Sequence, residues 1–349
     1  MERENYWLKY RAEIMGFATL LVMMSHVTNL FNEMPRKIYL ITYRGNIGVD
    51  IFLFLSGIGM IYSLTKNYKI KEFYKKRIVR ILLPYLAICV PFWIIDTIII
   101  KDSLVDFFIN CLGISFWLGK GILSVWYVAF IIVVYFITPL FYKIIVRKEK
   151  EGSIYLVKKN AIVLLALTIL LNVVIAWINE DYYQSTEIAF SRLPIFILGM
   201  IFGVILYDKK EIKKSWYALL FCIPIIYVIV LGVSPSAIGM WGFAERTLGG
   251  LTSLAIAFGA CVIFSRSDMV MRVLRFFGAI SLECYLVHVL FLHLINDFIK
   301  YKIESSIYEY IPKQAGVCIL VYVVLMVLCV LIACAVHKMI DRGVRIDGK

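Results

Sequence analysis

Charge is scarce in this chain: 17% of its 349 residues are Asp, Glu, Lys or Arg, against roughly a quarter in a soluble domain. With 62% of residues hydrophobic, that scarcity excludes a disordered chain and argues against a soluble enzyme. A Walker loop, a GxGxxG turn, internal repeats and low-complexity tracts are also missing, so no phosphate-cradling loop or repeat architecture is encoded. The eight cysteines, Cys89, Cys111, Cys222, Cys261, Cys284, Cys318, Cys329 and Cys334, form no CxxC pair and no Cys/His cluster at ligand spacing. They read as small core residues, and no metal site is expected.

What the chain has instead is long apolar runs, close to the ~20 residues that cross a bilayer. Ten stretches stand out, at about 14–31, 46–65, 81–100, 122–142, 161–178, 190–207, 216–233, 246–264, 277–299 and 315–337. The first is too long for a signal-peptide core and no small-residue cleavage site follows it, so it reads as a retained helix. The connections are too short for a second folded domain, which predicts one all-α polytopic bundle over residues 1–349. The two termini and the connections after helices 2, 4, 6 and 8 hold 27 of the 37 Lys and Arg, and the other five connections hold 10. Basic loops stay inside, so both termini are expected in the cytoplasm. The net charge of +13 is therefore a topology signal, and nucleic acid is not an expected partner. The connection 66–80, KNYKIKEFYKKRIVR, is the most basic. It suits either a topology determinant drawn to anionic lipid or a ligand site.

Titratable side chains inside a membrane helix are costly, so each is a functional candidate. At about 1.5 Å per residue, His26 lies roughly 7 Å below the outer surface, and Asp50 lies at nearly the same depth on the next helix. Helices joined by a short connection are normally neighbours. The two side chains are thus expected to meet, the carboxylate orienting the imidazole as in a hydrolase triad. The plainer readings are a packed histidine bonded to a carbonyl, and a first-turn acid at a helix N-terminus. Tyr127, Arg192 and the Glu245, Arg246 pair fall at the same outer level and are expected to line a polar cavity open to the outside. Trp126 and Tyr127 also suit an interfacial aromatic belt. Arg11, Arg77, Arg80 and Glu283 sit at the inner ends, and His288 lies near the middle of the ninth stretch. Arg77 and Arg80, three apart on one helical face, form a clamp for phosphate or carboxylate through bidentate guanidinium bonding. Such a layout admits a transporter, or an enzyme that takes a charged donor inside and modifies an acceptor outside.

Six segments in order resemble the acyltransferase-3 family, integral membrane O-acyltransferases that act on bacterial surface polysaccharides, lipopolysaccharide, peptidoglycan and macrolides. They are GFATLLVMMSH ending in His26, IGVDIFLFLSGIGM with Asp50, Ser56 and Gly57, FYKKRIVRILLPY with Arg77 and Arg80, SVWYVAFIIVVYFITP with Trp126, Tyr127 and Tyr135, SRLPIFILGMIFG with Arg192 and Gly199, and FGAISLECYLVH with Ser281, Tyr285 and His288. The resemblance spans nearly the whole chain. It implies a multi-pass protein of the bacterial cytoplasmic membrane, an acyl-CoA donor such as acetyl-CoA on the cytosolic side, catalysis by His26 and donor binding by Arg77 and Arg80. The acceptor it implies is a hydroxyl of an exported or lipid-linked glycan. Joined to the residue reading, the expected catalytic set is His26 as general base with Asp50, Tyr127 and Arg192, either of the last two stabilising the oxyanion. The expected donor set is Arg77, Arg80, Arg11 and His288. One position departs from the family pattern: Arg or Lys usually stands eleven residues before the histidine, where this chain has Met15, and Arg11, one turn earlier on the same face, is the candidate substitute. A secondary transporter or flippase for a glycan or lipid-linked intermediate is the alternative, and a membrane receptor or accessory protein without chemistry is a third.

Overall fold

The computed structural model describes residues 6–29, 36–66, 68–119, 125–149, 153–208, 214–233, 240–302 and 315–347. All ten apolar stretches are helical within these residues. Hydrocarbon offers backbone N–H and C=O groups no partner, and a helix satisfies both within itself. The helices are α1 (Arg11–Ser25), continued by a 3-10 turn His26–Asn29, then α2 (Gly48–Lys66), α3 (Ile70–Trp93), α4 (Trp126–Ile145), α5 (Lys158–Ile178), α6 (Leu193–Tyr207), α7 (Lys214–Val233), α8 (Met240–Phe264), α9 (Ser281–Lys302) and α10 (Ala315–Asp347). Eight of them belong to helical spans long and apolar enough to cross a membrane, α6 together with the helical segment Glu180–Phe190 that precedes it. Among the described residues α1, with 15, and α7, whose apolar part is Leu220–Ile229, fall short of that length. The fold is an all-α polytopic membrane bundle.

Two features differ from expectation. The basic segment 66–80 is not a loop, because α3 begins at Ile70 and carries Arg77 and Arg80 on its first three turns. Hydropathy marks where a helix enters apolar surroundings, while Lys, Arg and Glu are good helix formers that carry it onward into water. Between α4 and α5 lies a small antiparallel hairpin, β1 (Val146–Lys148) paired with β2 (Ile154–Leu156).

The centre of the bundle is α2 against α6. Of its most apolar window, α2 has 72% buried, whereas α5 and α10 have 22% and turn aliphatic faces outward, where lipid covers them. Glycine permits the central crossing. A Cβ at Gly57 would lie 2.3 Å from the Phe196 carbonyl oxygen, and one at Gly199 would lie 2.2 Å from that of Phe54, so both positions must lack a side chain for the backbones to approach. A second crossing of this kind joins Gly16 of α1 to Gly278 of the amphipathic helix Asp268–Ala279. Beyond Pro91, α3 widens into π register over Ile94–Ile100, which buries Asp96 completely. Such a bulge is a usual response where proline breaks the hydrogen-bond ladder.

Candidate active site

Helical spacing builds the larger cavity. Arg11, Met15 and Val22 of α1 share a face, as do Tyr127, Ile131 and Tyr135 of α4, and these faces meet Phe52 and Ser56 of α2, Arg77 and Arg80 of α3 and Tyr285 of α9. They enclose about 350 Å³. Three guanidiniums therefore converge at the basic end, and among the described residues none of the three is in an ion pair. The Nε atoms of Arg11 and Arg77 are buried without a hydrogen-bond partner. The acids at the rim are occupied elsewhere: Glu283 lies 2.7 Å from His337 Nδ1, and Asp341 is near the same ring. Arg77 is held over the rings of Phe73 and Tyr135, 5.5 and 5.8 Å from their centroids. An unneutralised cluster of this kind attracts a polyanion. Arg11 and Met15, one turn apart, both line the cavity.

At the far end the cavity stops at Val22, Val49 and Tyr127. The Val22 carbonyl oxygen lies 2.9 Å from His26 Nδ1. The same nitrogen is 3.1 Å from Nε2 of His288, which is wholly buried. His26 and Asp50, expected to meet, do not bond to each other in the structure. The helices are neighbours, but the side chains leave them in different directions. Met23 and Val27, on either side of His26, share a core cluster with Ile280 and with Cys284 and Val287 of α9, so His26 turns to α9. Asp50 shares the face of Phe54 and Gly57, at i+4 and i+7, which is the face that crosses α6. His288 is likewise not among the residues lining the larger cavity, contrary to expectation, because Tyr285, one turn before it, takes that place.

Asp50 instead pairs with Arg192, Nε to Oδ1 3.3 Å, each side chain 3% exposed. Arg192 also donates from Nη1 to the Ile188 carbonyl at 2.8 Å and lies over Trp126, 5.3 Å from the ring centroid. Around this pair is a small polar recess of about 60 Å³ lined by Asn46, Arg44, Tyr227, Glu245 and Arg246. Glu245 bonds Arg44, and Arg246 Nε is 2.8 Å from Glu187. Glu245, Arg246, Arg192 and Asp50 thus share one recess, as their common depth implies. Tyr127 does not join them and lines the larger cavity. Consecutive helical residues point about 100° apart, so Trp126 meets Arg192 while Tyr127 turns to Phe52 and Tyr285, with ring centroids at 6.4 and 5.6 Å. Val49 and Asp50 split in the same way. Adjacent residues of α2 therefore line the two cavities, and His26 stands one turn beyond Val22.

Several polar residues escaped the sequence reading. Arg44 and Tyr227 complete the recess and Glu187 pairs with its Arg246, and the available signal was their charge or hydroxyl beside apolar runs. A cluster of Asp96, His293 and Asp297, with ligand-type atoms within 4.8 Å of one another, was also unforeseen. It joins the π segment to α9, and the Lys101 ammonium lies 2.9 Å from Asp96 and bonds Asp297. Burial opposes the charge on Lys101, but the two carboxylates outweigh it and hold its pKa above the ordinary lysine value. The ammonium therefore supplies the cation that this cluster needs.

A family model described as an acyltransferase domain, that of the acyltransferase-3 family, matches residues 15–338. Met15 is the first residue of the match, and Arg11 lies just before it. Comparison with curated proteins and with solved structures finds no match.

Proposed function

The chain belongs to the acyltransferase-3 family and is a multi-pass membrane acyltransferase; from that premise we propose that it transfers an acyl group, acetyl in the first instance, from cytosolic acyl-CoA to a hydroxyl of an exported or lipid-linked glycan in the bacterial cytoplasmic membrane. The observation that carries this reading is the cavity with three guanidiniums at its mouth that form no ion pair among the described residues, and the Val22 carbonyl partner of His26 at its far end. Coenzyme A bears several phosphate charges, which suit Arg11, Arg77 and Arg80. Its slender pantetheine arm suits a cavity at the small end of the ligand-pocket range, while the nucleotide stays at the basic mouth.

In this scheme His26 takes the proton from the acceptor hydroxyl as its oxygen attacks the thioester carbonyl. The C–O bond forms, the C–S bond breaks, and His26 returns the proton to the leaving thiolate. Tyr127 is the better oxyanion donor of the two considered, since it faces the cavity while Arg192 is committed to Asp50 and the Ile188 carbonyl. The recess around Asp50 and Arg192 would take the acceptor from the other side.

The test is transfer of label from [14C]acetyl-CoA to the glycan fraction in membranes that contain the protein. His26→Ala is expected to lose about 10²- to 10⁴-fold in turnover. The Arg77→Ala, Arg80→Ala double variant is expected to raise KM for acetyl-CoA by about 10²-fold or more, from loss of two charge-assisted contacts. Full transfer by either variant at equal protein level refutes the assigned role. Accumulation of a glycan in vesicles without any thioester would favour transport.

A further inference from the structure

His288 has no place in the donor cavity, yet it is fully buried and makes two contacts that assign protons. Its Nδ1 lies 2.6 Å from the Cys284 carbonyl oxygen. A carbonyl only accepts, so Nδ1 carries the hydrogen and Nε2 is the lone-pair nitrogen. That Nε2 is 3.1 Å from His26 Nδ1, which must therefore donate. The Val22 carbonyl, 2.9 Å from the same His26 nitrogen, independently requires the same tautomer. Both acceptors leave His26 with a hydrogen on Nδ1 and a free pair on Nε2, the form that a general base needs.

We infer that His288 is a positioning residue for His26, a neutral acceptor in the place where a hydrolase triad has a carboxylate. The inference rests on the reading of His26 as general base. When His26 Nε2 takes the hydroxyl proton, the imidazolium shares its Nδ1 hydrogen between His288 Nε2 and the Val22 carbonyl. The proton travels no further, because the other nitrogen of His288 is tied to the Cys284 carbonyl. It leaves by the route it came, from His26 Nε2 to the thiolate. A histidine fits here because the buried acid at this depth, Asp50, is already held by Arg192. Neutral His288 also needs no counter-ion among its apolar neighbours Val287 and Val289.

The experiment compares kcat and KM for [14C]acetyl-CoA in the wild type, His26→Ala, His288→Leu, His288→Asn and His288→Gln, at matched amounts of monodisperse protein. Leucine removes the acceptor, and asparagine keeps polarity but is too short to reach His26. Both are expected to lower kcat about tenfold to a hundredfold, the value of one hydrogen bond to an ionised group, with KM for acetyl-CoA unchanged. Glutamine places an amide oxygen near the position of Nε2 and is expected to recover most of the loss. If leucine fails to accumulate, the asparagine and glutamine pair decides the matter alone. Full turnover in the leucine or asparagine variant, beside an inactive His26→Ala, overturns the role of His288 and leaves His26 as base. Glutamine as slow as asparagine also overturns it, because the residue then acts by packing. Full turnover in His26→Ala overturns the general-base reading itself.

Discussion

Replacing Arg192 with leucine removes the cation that bonds Asp50, and the structure sets the scale of the damage. The pair is 3.3 Å apart, with both side chains 3% exposed, so the carboxylate left behind is re-solvated only in part, through the small recess. Loss of one partner from such a pair costs about 3–5 kcal/mol, most of it the penalty of an uncompensated charge. At about 1.4 kcal/mol per factor of ten, the unfolded fraction rises by roughly two to four orders of magnitude. The cost falls at the centre of the bundle, beside the Gly57 and Gly199 crossing, where no rearrangement is cheap. Adding Asp50→Asn to Arg192→Leu removes the orphaned charge and is expected to recover most of that loss. The assay is the fraction of monodisperse protein that survives a temperature series in mild detergent, read by size exclusion for both single variants and the double. A double variant as unstable as Arg192→Leu would refute the reasoning, since the damage would then come from lost packing on Trp126 and the lost bond to Ile188. Acyl transfer is expected to stay low in the double variant despite its recovered stability, because the recess no longer presents either charge to an acceptor.

The same heating series checks two further expectations. Gly199→Ala puts a methyl 2.2 Å from the Phe54 carbonyl oxygen, forcing α2 and α6 apart at about 1–3 kcal/mol, whereas Gly316→Ala, with nothing within 4 Å, is expected to be neutral. Lys101→Met leaves Asp96, 0% exposed, and Asp297 side by side without their ammonium, at about 3–5 kcal/mol; Lys101→Arg is expected to keep most of the stability.

The all-α class and the ten apolar helices were legible because hydrocarbon imposes a length and an internal hydrogen-bonding rule, whereas amphipathic helices such as Asp268–Ala279 carry no such apolar run. The start of α3 was not, since the four residues Lys71, Glu72, Lys75 and Lys76 are polar and still helical. Nor was the hairpin between α4 and α5, whose two strands are three residues each. Of the site, the clamp was visible as a spacing: Arg77 and Arg80 stand three apart on one helix and face one cavity with Arg11. The partner of His26 was not visible. Depth along the helices favoured Asp50 and placed His288 near the middle of its stretch, and only the direction in which His26 leaves α1 brings it to His288.

By itself, then, the sequence determined the all-α class of this chain, where its ten apolar stretches lie, and where positive charge accumulates. Those follow from one dimension, distance along a helix with a fixed rise, and from the bias of charge against translocation. Tertiary structure alone decided that His26 bonds His288, that Asp50 bonds Arg192, and that Tyr127 belongs with the arginines. Partner choice depends on the rotation of each helix about its axis, and that rotation is set where helices touch, at contacts such as Gly57 on Phe196 and Met23 among the α9 side chains. Depth is written in the order of residues, whereas azimuth is written only in the packing.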